Sequence, residues 1–518
     1  MSLPSPERLH PPAPDEPSPA PTTTGARWPW VAWVVLTFGL WNSCASHAGA
    51  RWSDGLLAQG DYPRTLAFAL AALRGAGTDD SDISRYLAYS NATLGRPYQS
   101  FYVRPFEGWT GPQPDSATGS DPDDPAQTPP RHPDRPLLPY RDFSVEYPPG
   151  FFLLALPPAL LGLELDGYRL VFSLLMALLL TAALLAAIRI GRVLRPQTEP
   201  SPVAVATLLA LALGTVAVRR FDAVVSLSLC LFLDGCLRRR PVLSGLALGV
   251  GLVTKVVPVL VLPVALVYWG ALRRWRELSV TALVSGLVAV AVGVPFLLTG
   301  EHLLDLVQYH GQRPLEVEST GAALLTIGRF FDPASAWRVA TYGSDNVVGP
   351  ADRFLLPLAG VLPLLAAAAI LAWSVVQTRE ALRGPDGERI SGEVLVRAAC
   401  ATLAASMALG KVFSAQYLAW FLPVGALVSV LDTGSRRRTA VLLLGGAMLL
   451  TQLNQHFFFG LLGQGPHPLM GVLFLLRNAL VMAWAVWILV PGPRVRSSTV
   501  SDERAPSGSP PLSGAARL

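Results

Sequence analysis

The chain is poor in lysine and in charge of any kind. Of its 518 residues only 15% are charged, and just two lysines stand beside 39 arginines. Soluble domains carry roughly 25% charged residues, so this composition, with 51% apolar residues, excludes a soluble enzyme held by a single anchor. The net charge of +5 requires no nucleic-acid partner. We therefore predict an all-α polytopic membrane protein.

Cysteine is also scarce, and the cysteines have no metal-ligand spacing. They lie in or beside apolar segments, where a free cysteine is an ordinary packing residue. We expect no cofactor and no metal, and Asp79, Asp80 and Asp82 are the acids through which a metal could bind. The four cysteines are Cys44, Cys230, Cys236 and Cys400.

Long apolar runs predict about 12 transmembrane helices. Several are shorter than the ~20 residues of a simple span, which is typical of short or broken helices that line a protein cavity. The count reaches 12 if 241–271 crosses twice and 150–163 enters the membrane without crossing. The runs are Trp28 to about Ser46, then 150–188, 203–219, 222–237, 241–271, 278–299, 353–375, 394–409, 413–431, 438–457 and 470–490.

Clusters of arginine between these runs predict the orientation, because cytoplasmic loops are enriched in Lys and Arg. With all clusters in the cytoplasm, the loops 48–147 and 300–352 lie on the extracytoplasmic side, together with both lysines. We expect a bacterial-type inner (plasma) membrane and cytoplasmic termini. The clusters are Arg189/Arg192/Arg195, Arg238–Arg240, Arg273/Arg274/Arg276, Arg379/Arg383/Arg389, Arg436–Arg438 and Arg494/Arg496.

Composition also predicts the domain boundaries. Residues 1–27 form a Pro-rich cytoplasmic tail that cannot bury a core, and 491–518 form a second polar tail, so both should be disordered. One transmembrane domain occupies 28–490. Its first extracytoplasmic loop, 48–147, contains a Pro/Asp-rich insertion at 111–138 that we also expect to be disordered.

The two lysines, Lys255 and Lys411, lie in membrane-grade apolar sequence. A cation near the bilayer is costly and is a functional-site hypothesis by default. Because lysine binds phosphate as a point charge, the pair indicates an anionic, membrane-borne ligand. The simpler alternative is snorkelling of each lysine at a helix end.

An acid at the membrane end of the first loop is the candidate general base. Asp82 starts a helical pattern in which Ile83, Tyr86, Leu87 and Tyr89 could face the membrane. A carboxylate in this place can accept a proton from an acceptor hydroxyl. Alternatively Asp82 is only a helix cap or a solvated loop acid, and Asp79 and Asp80 are close rivals.

The remaining polar candidates fall on the same predicted side. His310 and Arg313 follow a membrane segment and, with Lys255, Lys411 and Arg220, could bind a phosphate. Groups suited to a sugar or an acceptor hydroxyl are Tyr86, Glu146, Tyr147, Asp222, Glu318, Gln416 and Tyr417. The Arg219–Asp222 corner could instead be a structural ion pair.

Six motifs in order, DISRYLAYSNATLGRPY, EYPPG, RRFDAVVSLSLCL, GLVTKVVPVLVLP, YHGQRPLEVEST and GKVFSAQYLAWFLP, resemble glycosyltransferase family 87 over roughly 28–490. This family of GT-C-fold transferases includes polyprenol-phosphate-mannose-dependent mannosyltransferases. The resemblance implies a polyprenyl-phosphate-sugar donor, a lipid or glycan acceptor, and catalysis at the extracytoplasmic face. It also implies an aspartate base, corresponding to Asp82, and a donor-phosphate role for His310.

These observations predict a membrane hexosyltransferase, with mannose the expected sugar. Asp82 would deprotonate the acceptor in one inverting displacement, while the cations stabilise the leaving polyprenyl phosphate. The competing hypothesis is a lipid-linked-sugar flippase or transporter, which also places charges in the membrane. A third is a non-catalytic protein with the same fold.

Overall fold

The computed structural model describes residues 81–100, 103, 110, 130–196, 202–457 and 465–490. The predicted first helix from Trp28, both tails, Asp79, Asp80 and Cys44 lie outside these ranges. The described part is mostly helical. Its α-helices are α1 (Ser81–Thr93), α2 (Phe152–Leu160), α3 (Leu165–Leu194), α4 (Val203–Leu213), α5 (Val216–Arg219), α6 (Ala223–Leu237), α7 (Pro241–Lys255), α8 (Leu262–Ala271), α9 (Trp275–Thr299), α10 (Asp305–Gln312), α11 (Thr320–Gly328), α12 (Asp352–Ala381), α13 (Gly387–Leu409), α14 (Phe421–Leu431), α15 (Gly434–Phe457) and α16 (Pro468–Leu489).

Five of these helices, α3, α9, α12, α13 and α16, are long and apolar enough to cross a membrane. The 30 residues of α3 extend about 45 Å at 1.5 Å per residue, well beyond the ~30 Å of a hydrocarbon core. Six shorter apolar helical segments have 10–17 residues. The helices support the predicted polytopic membrane fold, and the total of 12 crossings stays a prediction.

The segment 241–271 is broken in the middle, as its two predicted crossings require. Helix α7 ends at Lys255, and Val256 has φ +55°, a conformation that interrupts any helix. A 3₁₀ turn, Val257–Val261, then leads into α8. The Arg239 guanidinium lies 3.3 Å from Glu277 at the start of α9. The chain has therefore returned to the end of the bundle from which α7 began.

Ion pairs gather the described arginine clusters at one end of the bundle, which we call the arginine end. All but the local Arg436–Asp432 pair join residues more than 30 positions apart, so they report the proximity of separate helices. They are Arg189–Asp234 (3.3 Å), Arg195–Glu393 (2.6 Å), Arg239–Glu277 (3.3 Å), Arg274–Glu388, Arg397–Asp432 (2.9 Å) and Arg436–Asp432 (3.6 Å).

Small residues let two helices, α7 and α9, pack closely against each other. Gly245 and Gly249, four residues apart on α7, face α9. A Cβ at Gly245 would lie 2.6 Å from Val284 Cβ, and one at Gly249 2.7 Å from Val288 Cβ. Close backbone approach through small residues is the usual packing of helices in membranes. It places α7, and thus Lys255, firmly against α9.

Helix α1 faces the protein interior rather than lipid. Ile83, Tyr86 and Tyr89 are buried and Leu87 is half-buried. Our expectation that this face could contact the membrane is therefore wrong. The physical reason is that the EYPPG segment and α3 supply aromatic partners that cover the helix.

Two small sheets lie in the loops. Strand β1 (Tyr98–Gln99) pairs antiparallel with β2 (Pro130–Arg131). The Leu137 N–H also donates to Ala92 O at 3.0 Å. Residues 130–138 of the predicted insertion are thus ordered by backbone pairing, which corrects the expectation of disorder there. Residues 111–129 lie outside the described residues.

The second sheet was not predicted and belongs to the loop between α9 and α12. Its strands are β3 (Leu315–Glu316), β4 (Trp337–Thr341) and β5 (Ser344–Val348), in the antiparallel order β3-β5-β4. It stands beside the residues that the sequence singled out.

Candidate functional site

The candidate base, Asp82, lies in the first turn of α1 and is half-buried. Its Oδ2 is 2.8 Å from Arg220 Nε, and its Oδ1 is 3.8 Å from Arg85 Nη1. Arg220 follows α5 at the corner between two apolar helices. A neighbouring cation favours the ionised carboxylate, which is the form that a general base needs. Arg220 therefore pairs with Asp82, rather than with Asp222 as the structural alternative supposed.

Arg85 links Asp82 to a second group of polar contacts around Glu146. Its guanidinium forms an ion pair with Glu146, which is buried. The other Glu146 oxygen accepts a hydrogen bond from Tyr309 OH at 2.9 Å. Two prolines follow Tyr147 and keep this segment extended, and Tyr140 OH donates to Tyr147 O at 2.5 Å. Asp82, Arg85 and Glu146 thus form one charged chain between α1 and the EYPPG segment.

A cluster of aromatic rings packs next to these charged residues. The Tyr86 ring lies 5.0–5.8 Å from the rings of Tyr147, Phe151, Phe172 and Phe221. Tyr86 is only 1% exposed. It therefore contributes packing here, and its predicted place in a sugar or acceptor site has no accessible surface in this conformation.

Lys255 is held in a cage at the end of α7. Its ammonium is 2.6 Å from Asp222 Oδ1, and Trp420 Nε1 donates to the same oxygen at 2.6 Å. The ammonium also lies over the rings of Phe221 (4.9 Å) and Tyr417 (4.7 Å), a cation–π arrangement. Its charge is directed into the protein, and not towards lipid headgroups as the snorkelling alternative requires.

Two cations near these residues, Lys411 and Arg313, have no carboxylate partner within the described residues. Lys411 Nζ donates to the backbone oxygen of Gly311 at 2.8 Å. Arg313 has a buried Nε without a hydrogen-bond partner. Within the described ranges, neither side chain forms an ion pair. A buried donor without a partner costs about 1–3 kcal/mol, so these groups could receive an anion.

His310 lies near the acid Glu146 and near the two cations Arg313 and Lys411. Loss of surrounding water and the positive charges of Arg313 and Lys411 lower its pKa to about 4, against an opposing contribution from Glu146. The imidazole is therefore neutral at neutral pH. The side chain keeps an exposed face. An anion bound beside it would favour its protonation.

Beneath the cations, Glu318 is committed to the core. It forms an ion pair with Arg477, which is 0% exposed, and accepts from Ala415 N at 3.3 Å and Gln455 Nε2 at 3.2 Å. Glu316 accepts from Phe413 N at 3.1 Å. These bonds hold the segment after α13, with its lysine, against the loop after α10. They leave Glu318 no free oxygen for the sugar role that the sequence suggested.

The structure thus brings the predicted residues around Asp82, Lys255, His310 and Lys411 into one region. We call this region the site end. Tyr417 stacks on Trp420 with ring centroids 4.5 Å apart, and Gln416 is half-buried beside it. Tyr86 and Glu318 lie in the same region but are enclosed.

Sequence reasoning overlooked Arg85, Tyr309, Trp420 and Arg477. Arg477 alone had a clear signal, since it is a single charge inside the apolar run of α16. Within the part of the chain that the structure describes, no group of three or more His, Cys, Asp or Glu side chains could hold a metal ion.

The family comparison agrees with this geometry. The model of glycosyltransferase family 87 matches residues 145–386, a little under half of the chain. No curated protein and no solved structure matches the chain. The matched range begins just before Glu146 and includes Arg220, Lys255 and Arg313, and the resemblance predicted from the motifs is confirmed there. The chain is accordingly a membrane protein whose residues 145–386 are similar to glycosyltransferase family 87.

Proposed function

We propose that the protein transfers a hexose, mannose in the first instance, from a polyprenyl-phosphate donor to a lipid or glycan acceptor on the extracytoplasmic face. One observation carries the proposal. An acid paired with an arginine, Asp82, and cations without carboxylate partners, Arg313 and Lys411, belong to the same cluster beside apolar helices. An inverting transferase needs these two kinds of group on opposite sides of its reacting carbon.

In the proposed reaction Asp82 removes the proton of the acceptor hydroxyl as its oxygen attacks the anomeric carbon. The bond from that carbon to the donor phosphate oxygen breaks, and its electron pair leaves with the polyprenyl phosphate. Inversion at the anomeric carbon follows from a single displacement. General-base catalysis of this kind contributes typically 10²–10⁴-fold.

Arg313, Lys411 and His310 stabilise the leaving phosphate. Charge develops there during bond breaking, and preorganised donors stabilise it most when water is excluded. Arg220 and Lys255 are already paired with Asp82 and Asp222. We therefore assign them the task of orienting these acids, and they add positive potential to the site without direct contact to the phosphate.

The sugar lies between the two sides in this proposal. Tyr417 presents a ring stacked on Trp420, and Gln416 adds an amide, a combination of apolar face and hydrogen-bonding group that suits a hexose. Tyr147 lines the acceptor side near Asp82, and the buried Glu146 and Asp222 support that side from within. Tyr86 and Glu318 support this arrangement from within the core.

The test uses the purified full-length protein in lipid nanodiscs, a short-chain polyprenyl-phosphate mannose and a panel of octyl glycosides. Appearance of an elongated, inverted glycoside by mass spectrometry and NMR, and its loss in Asp82→Asn, are the expected results. Movement of the donor between leaflets without its consumption would instead favour the flippase hypothesis.

The orientation has its own test, because the site side follows from the arginine clusters. A cysteine placed at Asp345, near the site end, should react with an impermeant maleimide added outside whole cells. A cysteine at Arg239, at the arginine end, should react only after permeabilisation. The reverse pattern would move the site to the cytoplasmic face and remove the polyprenyl-phosphate donor from the proposal.

A further inference from the structure

A β-hairpin reaches into the site end from the loop between α9 and α12. Strands β4 and β5 pair from Trp337↔Val348 to Thr341↔Ser344. The turn between them is Tyr342-Gly343, with φ of +53° and +60°. Two successive residues with positive φ are the signature of a tight hairpin turn whose twist matches its strands. We call Trp337–Val348 the finger.

The finger is stiff and anchored at its base. Asn346 is fully buried, and its amide donates to Thr341 O at 2.7 Å, which braces the turn. Strand β5 also pairs with β3, with Glu316 opposite Asn346. The Glu316 N–H donates to Lys411 O at 2.9 Å. The base of the finger is therefore tied to the cationic side of the site.

The tip of the finger contacts the acid side. Tyr342 O shares the single hydroxyl proton of Tyr309 with Glu146 Oε2, and Gly343 O lies 3.4 Å from Arg85 Nη1. The approach at Gly343 leaves no room for a side chain, since a Cβ there would stand 2.0 Å from Glu146 Oε2. Glycine is required here twice, once by its φ and once by this contact.

These contacts end at the proposed base. Glu146 holds Arg85 in an ion pair, and Arg85 is the second cation beside Asp82, at 3.8 Å. The position of the tip therefore bounds the space around Glu146 and, through it, around Arg85. The same stiff hairpin joins this group of contacts to the backbone of Lys411. It thus spans the two sides between which the acceptor must enter.

We propose that the finger is a positioning element for the acceptor and that Gly343 is its contact residue, acting through Glu146 and Arg85. This inference rests on the proposed transferase function. The contacts of Gly343 are with Glu146 and Arg85, and neither of these is assigned to the donor phosphate. Interference at the tip should therefore change use of the acceptor and leave use of the donor intact.

The experiment compares two glycine substitutions with the same backbone strain. Gly343→Ala places a methyl group against Glu146. Gly434→Ala is the control, because its φ is +56° and nothing lies within 4 Å of its Cβ position. Initial rates in nanodiscs, with polyprenyl-phosphate mannose and the accepting octyl glycoside, should show at least a tenfold higher acceptor KM for Gly343→Ala. The donor KM should stay within twofold, and Gly434→Ala should match wild type.

Two further variants show whether the effect passes through Glu146. In a Glu146→Ala background, adding Gly343→Ala should cause no further change, since coupled residues are not additive. Tyr309→Phe removes a hydroxyl without adding bulk, so it keeps the inference testable if Gly343→Ala does not fold. We expect it to raise the acceptor KM about threefold or more.

Three outcomes would overturn the inference: equal kinetics of Gly343→Ala and Gly434→Ala, a full Gly343→Ala effect on top of Glu146→Ala, or an unchanged acceptor KM in Tyr309→Phe. A readout without turnover separates these from failure of the proposed function. Hydrogen exchange of the finger backbone, Trp337–Val348, should accelerate in Gly343→Ala and not in Gly434→Ala. If wild type transfers no sugar but this acceleration is seen, the transferase proposal fails and the docking of the finger stands. If no acceleration is seen, the docking fails.

Discussion

The two ends of the helical bundle treat charge differently. At the arginine end, Arg397 pairs with Asp432 at 2.9 Å and with Glu393 at 2.8 Å, and Arg436 lies 3.6 Å from Asp432. These positions are matched by nearby acids, as expected where charges join helices. At the site end Asp82 and Asp222 are matched in the same way.

The difference lies in Arg313 and Lys411 at the site end, which have only backbone or no hydrogen-bond partners within the described residues. Uncompensated charge in a partly dry place destabilises the fold and is retained chiefly at functional sites. We infer that matched pairs hold the bundle together, while the unmatched cations are kept for a ligand. The predictions below test this distinction, beginning with the largest expected effect.

The largest effect is expected at the proposed base. Asp82→Asn keeps the size of the side chain but cannot accept a proton, so turnover should fall by about 10²–10⁴-fold. Donor binding should be retained. Asp79→Asn and Asp80→Asn, whose positions lie outside the described residues, serve as controls and should remain within a few-fold of wild type. Normal turnover in Asp82→Asn together with loss in a neighbour would place the base elsewhere.

The matched acid at the other end should behave in the opposite way. Asp432→Asn removes one of the two acids that match the buried Arg397. The unfolding free energy should therefore fall, by less than the about 3–5 kcal/mol that a buried charge left wholly unpaired costs. Turnover per folded molecule should be unchanged, because the residue is remote from the site. Thermal unfolding and activity are measured on the same nanodisc samples. A catalytic defect at unchanged stability would abolish the distinction between the two ends.

The two lysines offer a comparison within the site end. Lys411→Ala should raise the donor KM roughly 5- to 150-fold, which corresponds to about 1–3 kcal/mol, with little loss of stability. Lys255→Ala should instead lower stability, because it strands the buried Asp222. Lys411→Arg should restore donor use only in part, since a planar fork does not replace a point charge. Unchanged donor kinetics in a well-folded Lys411→Ala protein would instead favour the alternative that this lysine only snorkels at a helix end.

The smallest effect concerns pH. Burial and the nearby Glu318 raise the pKa of Glu316 to about 8, against the opposing charge of Arg313, while the carboxyl ionises near 4.3 in an unfolded chain. Folding therefore takes up a proton between these values, and the contribution of Glu316 to stability falls as pH rises from about 4.3 to 8. Glu316→Gln should flatten the decline of the thermal midpoint between pH 5 and pH 8. The exposed Glu388→Gln at the arginine end should retain the wild-type slope, and an equal slope in both variants would contradict this account.

Hydropathy and arginine placement allowed the helical class and the positions of most described helices to be predicted. The break in 241–271 and the short 150–163 segment were also visible, because proline and short apolar runs are local signals. The same reasoning marked Asp82, Lys255 and Lys411, since an ionisable group in apolar sequence is conspicuous wherever it falls. The sequence did not show that Tyr86 is enclosed in the core while the Tyr417 side chain remains partly accessible.

The sequence by itself therefore determined that this is a helical membrane protein with its rare lysines and its first-loop acid on one side of the arginine clusters. Only the tertiary structure decided which charges are neutralised. Arg477 is 159 residues from Glu318, and Gly343 meets Glu146 across nearly two hundred residues of chain. Hydropathy is a local property, so a short stretch of sequence is enough to recognise an apolar helix. Ion pairing depends on which helix ends and loops approach one another, and that is set by the packing of the whole bundle.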